Sequence, residues 1–282
     1  MNPQKSSLAK ILKIKTMIDV VDIGANPIDG QPPYKSLLDA NLAKVVGFEP
    51  NPQALSALID KKGSNETYLP YAVFDGSVRE FRECRAEGMS SLFEPNRDLL
   101  GYFHGFPKWG EVIGRQQIAT VKLEDVQEIK NLDYLKIDIQ GGELEVFKHA
   151  GRHLERCLAI HTEVEFLPMY EGQPLFSEVE LFLREHGFVI HRFAPIVNRV
   201  VQPMKVGNDI HAGLNQIFWA DAVFIRDFTK FDSLSPLQLK KIALILHDIY
   251  GSWDLALRAL MAHDEKAKGK LSEKYQKAMS ND

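Results

Sequence analysis

The sequence predicts an α/β fold with a doubly wound, mostly parallel sheet, and two observations carry that prediction. Short apolar runs recur along the chain, and segments with helical periodicity separate them. Two of these runs stop at a small or acidic residue, as residues 17–23 do at Gly24 and residues 45–48 do at Glu49. Open α/β sheets bind ligands at the carboxyl ends of their strands, so we expect a ligand site there.

Strand and helix alternate along most of the chain. The pattern predicts strands at 17–23, 44–49, 67–74, 133–139, 158–166, 189–193 and 216–225. It predicts helices at 6–15, 34–42, 52–61, 142–149 and 176–186. Asn51 is in the N-cap position of the helix at 52–61. We expect the strand at 216–225 to form an antiparallel hairpin at the sheet edge.

The chain divides into a helical extension, a main domain and a helical tail. We predict boundaries at 1–16, 17–230 and 231–282, with an insertion at 77–121 that contains a strand at 80–84. An insertion of this length is more often functional than idle, so we interpret it as a substrate lid. Helices are expected at 235–247 and 252–264, and the charged residues 265–282 are expected to be frayed or to form a solvent-exposed helix. Their apolar faces favour packing on their own domain, with a homodimer contact or docking onto a glycosylation partner as the alternatives.

Composition excludes several classes of protein. The 282 residues have a net charge of −4, so the chain has no broad basic face for nucleic acid. The lysine-bearing N-terminus lacks the apolar core of a signal peptide or membrane span. Cys84 and Cys157 have no metal-binding spacing, which favours a reduced, cytoplasmic protein.

The glycine turn at Gly24 distinguishes between nucleoside cofactors. An acid about 20 residues after such a turn is typical of nucleoside binding, and Glu49 is placed to hold ribose hydroxyls. The further glycines of a pyrophosphate fingerprint are missing, and Asp22 would repel phosphate. A carboxylate suits a cationic ligand such as the sulfonium of S-adenosylmethionine. The alternative is an ordinary turn with an incidental acid.

Ionisable side chains concentrate on two predicted strands. Alternation puts Lys136, Asp138 and Gln140 on one side of the first, and His161, Glu163 and Glu165 on one side of the second. If the strands are neighbours, Asp138 and Glu163 converge. Three interpretations of the cluster are open. It could be a buried ion pair with a purely structural role, an acid–base centre of Asp138, Glu163 and His161, or a divalent metal site. No tight metal motif is present, so acid–base work is favoured and no metal is assigned.

Four motifs of the chain resemble the successive signatures of the FkbM family of methyltransferases. They are residues 21–26 (VDIGAN), 47–51 (GFEPN), 133–143 (DYLKIDIQGGE) and 161–166 (HTEVEF). The resemblance implies a class I Rossmann-like fold and S-adenosylmethionine as methyl donor. It also implies O-methylation, with a sugar, a glycan or a small metabolite as the acceptor.

The resemblance also implies roles for individual residues. Asp22, Gly24 and Asn26 would surround the methionine part of the donor, and Glu49 would hold its ribose. Asp138 would lie beside the transferred methyl. The remaining candidates for cofactor binding are Ala25, Pro50, Asn51, Ala72, Val73 and Asp75, of which the last three would lie near the adenine. The candidates for substrate binding are Ser90, Ser91, Gln140 and Glu165.

Two features depart from the family pattern. The family usually has Glu where this chain has Gln140, and the loop at 27–33 is longer and richer in proline than the usual turn. Gln140 is the main argument for one rival interpretation, a non-catalytic binding subunit with a methyltransferase fold. An NAD(P)-dependent oxidoreductase is a second rival, which Asp22 and the missing glycines disfavour.

Overall fold

The computed structural model describes residues 7–13, 15–28 and 30–280. The strands are β1 Ile18–Ile23, β2 Ala43–Phe48, β3 Glu66–Leu69, β4 Ala72–Val73, β5 Val78–Cys84, β6 Val112–Val121, β7 Tyr134–Ile137, β8 Ala159–Glu165, β9 Phe188–Arg199 and β10 Gln216–Arg226. A seven-stranded sheet has the order β3-β2-β1-β7-β8-β10-β9, and a smaller sheet has the order β4-β6-β5. The large sheet is parallel except at β10, which confirms the predicted fold class.

Helices cover both faces of the large sheet. They are α1 Leu8–Leu12, α2 Lys35–Asp39, α3 Pro52–Lys61, α4 Arg97–Leu100, α5 Phe106–Trp109, α6 Glu143–Lys148, α7 Arg152–Arg156, α8 Phe176–Glu185, α9 Pro236–Asp248, α10 Trp253–Ala267 and α11 Leu271–Ser280. Of the predicted helix at 6–15, residues 6 and 14 lie outside the described residues. Two apolar clusters pack on the sheet, one with α9 and α10 and the other with α6 and α8.

The three strands that end at the predicted ligand site, β1, β2 and β7, are neighbours at the centre of the sheet. β1 pairs in parallel with β2 on one side and β7 on the other, with Asp22 opposite both Gly47 and Lys136. The strand β1 is almost entirely buried, as expected for a parallel strand with both faces covered. The residues that follow β1, β2 and β7 therefore meet at one edge.

The predicted strand at 67–74 is wrong, because the chain forms two strands there. β3 pairs with β2 in the large sheet, whereas β4 pairs with β6 in the small one. Pro70 lies between them and has no amide hydrogen to donate to a ladder. β6 is a strand that the sequence interpretation missed, and it joins β4 to β5.

The hairpin at the end of the sheet is antiparallel as predicted, but the prediction of which strand lies at the edge is wrong. β10 lies between β8 and β9 and pairs with both, so β9 is the edge strand. β9 also continues to Arg199, past the predicted end at 193. A hairpin pattern does not tell which of its two strands pairs with the rest of a sheet.

The C-terminal helices pack against their own sheet. Leu239, Ile242 and Leu260 are fully buried in the same apolar cluster as Val20 of β1. The predicted helix at the end of the chain is present as α11, and it buries Tyr275, whose hydroxyl hydrogen-bonds His247 Nδ1 at 2.8 Å. In the part of the chain that the structure describes, no helix is long and apolar enough to cross a membrane.

Candidate active site

A cavity of about 950 Å³ lies at the carboxyl ends of β1, β2 and β7, and the insertion forms its opposite wall. Many of the predicted site residues line it. They are Gly24, Asn26, Glu49, Pro50, Asn51, Ala72, Val73, Ser90, Ser91, Asp138 and Gln140. Asp22, Ala25, Asp75, His161, Glu163 and Glu165 lie outside the lining.

Gly24 forms a turn that no larger residue fits. Its φ is +77°, and a Cβ at this position would lie 2.1 Å from the carbonyl oxygen of Asp138. The Asp138 N–H donates to the Ile23 carbonyl at 3.0 Å, and Lys136 Nζ donates to the Gly24 carbonyl at 2.8 Å. The turn is therefore fixed against the end of β7.

Asp22 lies behind the cavity, because side chains alternate along β1 and its neighbour Ile23 lines the cavity instead. Tyr34 Oη donates to Asp22 Oδ2 at 2.6 Å, and Lys136 Nζ lies 3.5 Å from Asp22 Oδ1. Burial raises the pKa of Asp22, and the charge of Lys136 opposes that rise. Asp22 thus pairs with the lysine that also donates to the Gly24 carbonyl, and its contact with the methionine part of the donor stays a prediction.

Glu49 presents a largely buried carboxylate to the cavity. The Asn51 N–H donates to Glu49 Oε1 at 2.8 Å. Burial raises the pKa of Glu49, while hydrogen bonds from the backbone of Asn51 and Asn26 oppose that rise. Asn51 Oδ1 accepts from the N–H groups of Gln53 and Ala54, which makes it the N-cap of α3 as predicted.

One side of the cavity is apolar. Phe48, Tyr71, Ala72, Val73 and Ile139 form it, and the Phe48 and Tyr71 rings lie 6.4 Å apart. Two predicted residues of this region lie outside the lining. The Asp75 carboxylate pairs with Arg79, which lowers its pKa against the opposing effect of burial, and Ala25 is buried beneath the turn.

Gln140 connects Asp138 in the cavity with Glu163 outside it. Its Nε2 donates to Asp138 Oδ1 at 2.9 Å and to Glu163 Oε2 at 2.7 Å. Tyr170 Oη donates to Gln140 Oε1 at 2.9 Å, and Gln140 has a left-handed φ of 60°. Burial raises the pKa of Glu163 well above its usual range, and the charge of Asp138 adds to that rise. The predicted meeting of Asp138 and Glu163 therefore occurs through a third side chain.

His161, a predicted acid–base residue, and Glu165, a predicted substrate-binding residue, lie outside the cavity lining. His161 Nδ1 is 3.3 Å from Tyr250 Oη, and its Nε2 is 3.4 Å from Asp221 Oδ2. Glu165 is buried with one oxygen unpartnered, and burial raises its pKa well above its usual range. Among residues 7–13, 15–28 and 30–280, no group of three or more His, Cys, Asp or Glu residues is arranged to hold a metal ion.

The insertion supplies lining residues that the sequence interpretation missed. They include Phe81, Glu83, Cys84, Glu87, Gln116 and Ile118. Alternation along β5 and β6 could have grouped Phe81 with Glu83 and Gln116 with Ile118, had both strands been recognised. Two contacts connect the insertion to the sheet edge: Asn26 Nδ2 donates to Glu87 Oε1 at 3.1 Å, and Ser91 Oγ donates to the Gln140 carbonyl at 2.7 Å.

The aromatic residues of the insertion form a separate apolar cluster. Phe103 and Phe106 are buried against Phe218, with ring centroids 4.4 and 4.9 Å from it. Trp109 packs on Phe106 and stacks on His211. None of these described side chains lines the cavity, so the cluster holds the insertion on the end of β10.

Comparisons with known proteins give one curated relative and several solved structures. The chain is 26% identical over 176 residues to the 2-O-methyltransferase NoeI of Sinorhizobium fredii, covering 57% of this chain and 70% of that protein. Among solved structures, M. capricolum TrmK with S-adenosyl-homocysteine matches with a TM-score of 0.36 and 10% identity, over 93% of this chain and 96% of that one. M. jannaschii TYW2 with AdoMet matches with a TM-score of 0.32 and 16% identity, over 78% and 74%. These structural scores are too low to assign residues.

A family model decides the assignment. The methyltransferase FkbM domain matches residues 22–190, which is more than half of the chain. The matched range runs from the end of β1 into β9 and contains the lining residues of the cavity described above. The chain belongs to the FkbM methyltransferase family.

Proposed function

We propose that this protein transfers the methyl group of S-adenosylmethionine to a hydroxyl group of a sugar, a glycan or a small metabolite. The observation that carries the proposal is that Gly24, Glu49 and Asp138 line one cavity. Gly24 lets a ligand approach the backbone closely. Glu49 can bind the ribose of the donor, and Asp138 can lie beside its methyl group. The name of the relative NoeI, a 2-O-methyltransferase, supports oxygen as the acceptor atom.

The residues of the cavity fit the proposed donor. Glu49 can accept hydrogen bonds from two ribose hydroxyls, and the apolar side formed by Phe48, Tyr71 and Val73 suits an adenine ring. The described lining contains no Lys, Arg or His, so a pyrophosphate would lack a charged partner. This lining therefore favours a sulfonium nucleoside over NAD(P). When bound, S-adenosylmethionine supplies an electrophilic methyl group on its sulfonium.

Asp138 is the proposed proton acceptor. Gln140 holds its Oδ1, while Oδ2 has no partner among the described residues and remains available to an acceptor hydroxyl. As the hydroxyl oxygen bonds to the methyl carbon, the carbon–sulfur bond breaks with its electrons on sulfur, and the proton passes to Asp138. Alignment of the two reactants supplies much of the acceleration.

Glu163 has a supporting role in this proposal. Burial and the charge of Asp138 both raise the pKa of Glu163, which favours the protonated form of Glu163. A protonated Glu163 avoids a second negative charge beside the carboxylate that is proposed to accept the proton. Gln140 serves the same arrangement, since its amide donates to both carboxyl groups.

Calorimetric titration tests the donor. We expect heat with S-adenosylmethionine and none with NAD. Glu49→Ala should weaken donor binding at least about tenfold, since buried charged hydrogen bonds each contribute about 1.5 to 3 kcal/mol. Glu128→Ala, at an exposed glutamate outside the cavity, is the matched control. No heat with S-adenosylmethionine, or full affinity in Glu49→Ala, would overturn the donor assignment.

A labelled-methyl screen tests the transfer. Nucleotide sugars, glycans and hydroxylated metabolites are incubated with labelled donor, with and without a chelator. On an acceptor so identified, Asp138→Asn should lower kcat at least about 100-fold while donor affinity changes little. Full turnover in Asp138→Asn would show that another group removes the proton. Binding of the donor with no transfer to any acceptor would favour the binding-subunit alternative.

A further inference from the structure

The charges that line the cavity all have one sign. Glu49 and Asp138 come from the sheet edge, and Glu83 and Glu87 come from the insertion. The described lining has no basic side chain to offset them. A cleft lined by one sign of charge concentrates the potential of that sign, so an approaching ligand meets a negative field.

The arginines near the insertion wall are already paired with other carboxylates. Arg79 pairs with Asp75, Arg85 with Glu111, and both Arg82 and Arg115 with Glu80 and Glu94. Arg82 also donates to the carbonyls of Glu80 and Leu92. These guanidinium groups are therefore held away from an anionic ligand in the cavity.

Glu83 and Glu87 differ from the other acids of the insertion wall. Neither forms an ion pair with a described residue, and among these residues the Glu87 carboxylate accepts a hydrogen bond only from Asn26. A Cβ at Gly114 would be 2.8 Å from Glu83 Oε2, so glycine there makes room for this carboxylate. The insertion wall of the cavity thus presents two carboxylates without an ion-pair partner among the described residues.

We infer that the acceptor is a neutral or cationic hydroxylated molecule, without phosphate, sulfate or carboxylate groups, and that Glu83 and Glu87 determine this specificity. The inference rests on the proposed methyl transfer, because it concerns the second reactant of the same site. An anion in this cavity would lose its hydration without gaining a charged partner, and it would face four carboxylates. A protonated amine near the reacting hydroxyl would instead be attracted.

Charge fractionation of natural acceptors is the first test. A metabolite and glycan extract of the source cells is separated on an anion-exchange column into unbound and bound pools. Each pool is incubated with the purified protein and labelled S-adenosylmethionine. Label in the unbound pool alone is expected. Label in the bound, anionic pool would overturn the inference and leave the proposed function intact. No label in either pool would contradict methyl transfer itself, while calorimetry tests donor binding separately.

Variants of the two glutamates provide the second test. With a cationic acceptor from the unbound pool, Glu83→Gln and Glu87→Gln should each raise KM about three- to tenfold, with kcat little changed. The rise should shrink in 0.5 M salt, because exposed charges are screened. If the acceptor is neutral, inhibition by an anionic analogue of the acceptor is measured instead. The analogue should compete with the acceptor in Glu83→Lys and should not compete with it in the unaltered protein. Glu111→Gln, which alters an acid outside the lining, should change neither quantity. Unchanged KM and unchanged competition in the Glu83 and Glu87 variants would overturn their role.

Discussion

The side-chain amide of Gln140 donates a hydrogen bond to Glu163 Oε2 at 2.7 Å, and its second N–H serves Asp138. Tyr170 donates to the amide oxygen, so the orientation of the amide is fixed at both ends. Glutamine is suited to this position because one neutral group supplies two donors to two carboxyl groups. The feature that most favoured a non-catalytic subunit is thus an integrated part of the site.

Gln140→Glu should destabilise the protein in a pH-dependent way. A carboxylate here would face Asp138 and Glu163 and supply no donor at neutral pH, which costs about 2 to 4 kcal/mol. At lower pH the new glutamate is protonated and can donate once, so we expect a smaller loss at pH 5.5 than at pH 8. Denaturant unfolding at both pH values measures this. Gln127→Glu, on the exposed surface, should show neither loss, and an equal loss at both pH values would contradict the explanation.

Much of the fold could be predicted because periodicity reports burial directly. The runs that became β1, β2, β7 and β8 are largely buried, as parallel strands between two layers of helices must be. The division at Pro70 and the placement of β10 depend on pairing between distant segments, which periodicity does not encode. The same limit concealed β6, whose alternating, largely exposed residues resemble a loop.

The site was predicted best where local sequence and position in the sheet coincide. Gly24, Glu49 and Asp138 each follow a strand directly, so topology alone brought them into one cavity. Asp22 lies outside the lining because it precedes the end of its strand by one residue, and alternation turns its side chain away. Glu83 and Glu87 lie in the insertion, whose position over the sheet edge becomes evident only from the three-dimensional fold.

Gly24→Ala should be much more costly than a matched substitution at Gly172. The two glycines have nearly the same φ, +77° and +72°, but a Cβ at Gly172 would have no heavy atom within 4 Å. The left-handed conformation costs about 1 to 2 kcal/mol at either site, whereas the collision with Asp138 adds about 1 to 3 kcal/mol at Gly24 alone. Thermal unfolding of the two variants measures the difference. Similar losses would show that the close approach to Asp138 is unimportant.

Glu143 should make stability fall as pH rises. Burial raises its pKa from 4.5 to about 7, despite hydrogen bonds from the N–H groups of Ile139 and Gly141. Between these values the folded state holds the proton more tightly than the unfolded state, so its contribution is full below about pH 4.5 and is lost by about pH 7. We expect Glu143→Gln to gain about 1 to 3 kcal/mol relative to the unaltered protein between pH 5 and pH 8. The exposed control Glu128→Gln should leave the slope unchanged, and a slope unaltered by Glu143→Gln would contradict the assignment.

The ion pair between Asp22 and Lys136 should be coupled to the stability of the Gly24 turn. Lys136→Met leaves Asp22 as a buried charge without its cation and removes the donor to the Gly24 carbonyl, which should cost about 3 to 5 kcal/mol. The additional change Asp22→Asn keeps the hydrogen bond from Tyr34 while removing the unpaired charge, so the double variant should recover part of that loss. A double-mutant cycle by denaturant unfolding measures the coupling, with the exposed Lys130→Met as control. The affinity for S-adenosylmethionine should be reduced in the single variant and stay reduced in the double variant, because the Gly24 carbonyl lacks the hydrogen bond from Lys136 in both. Additive losses would show that Asp22 and Lys136 act independently.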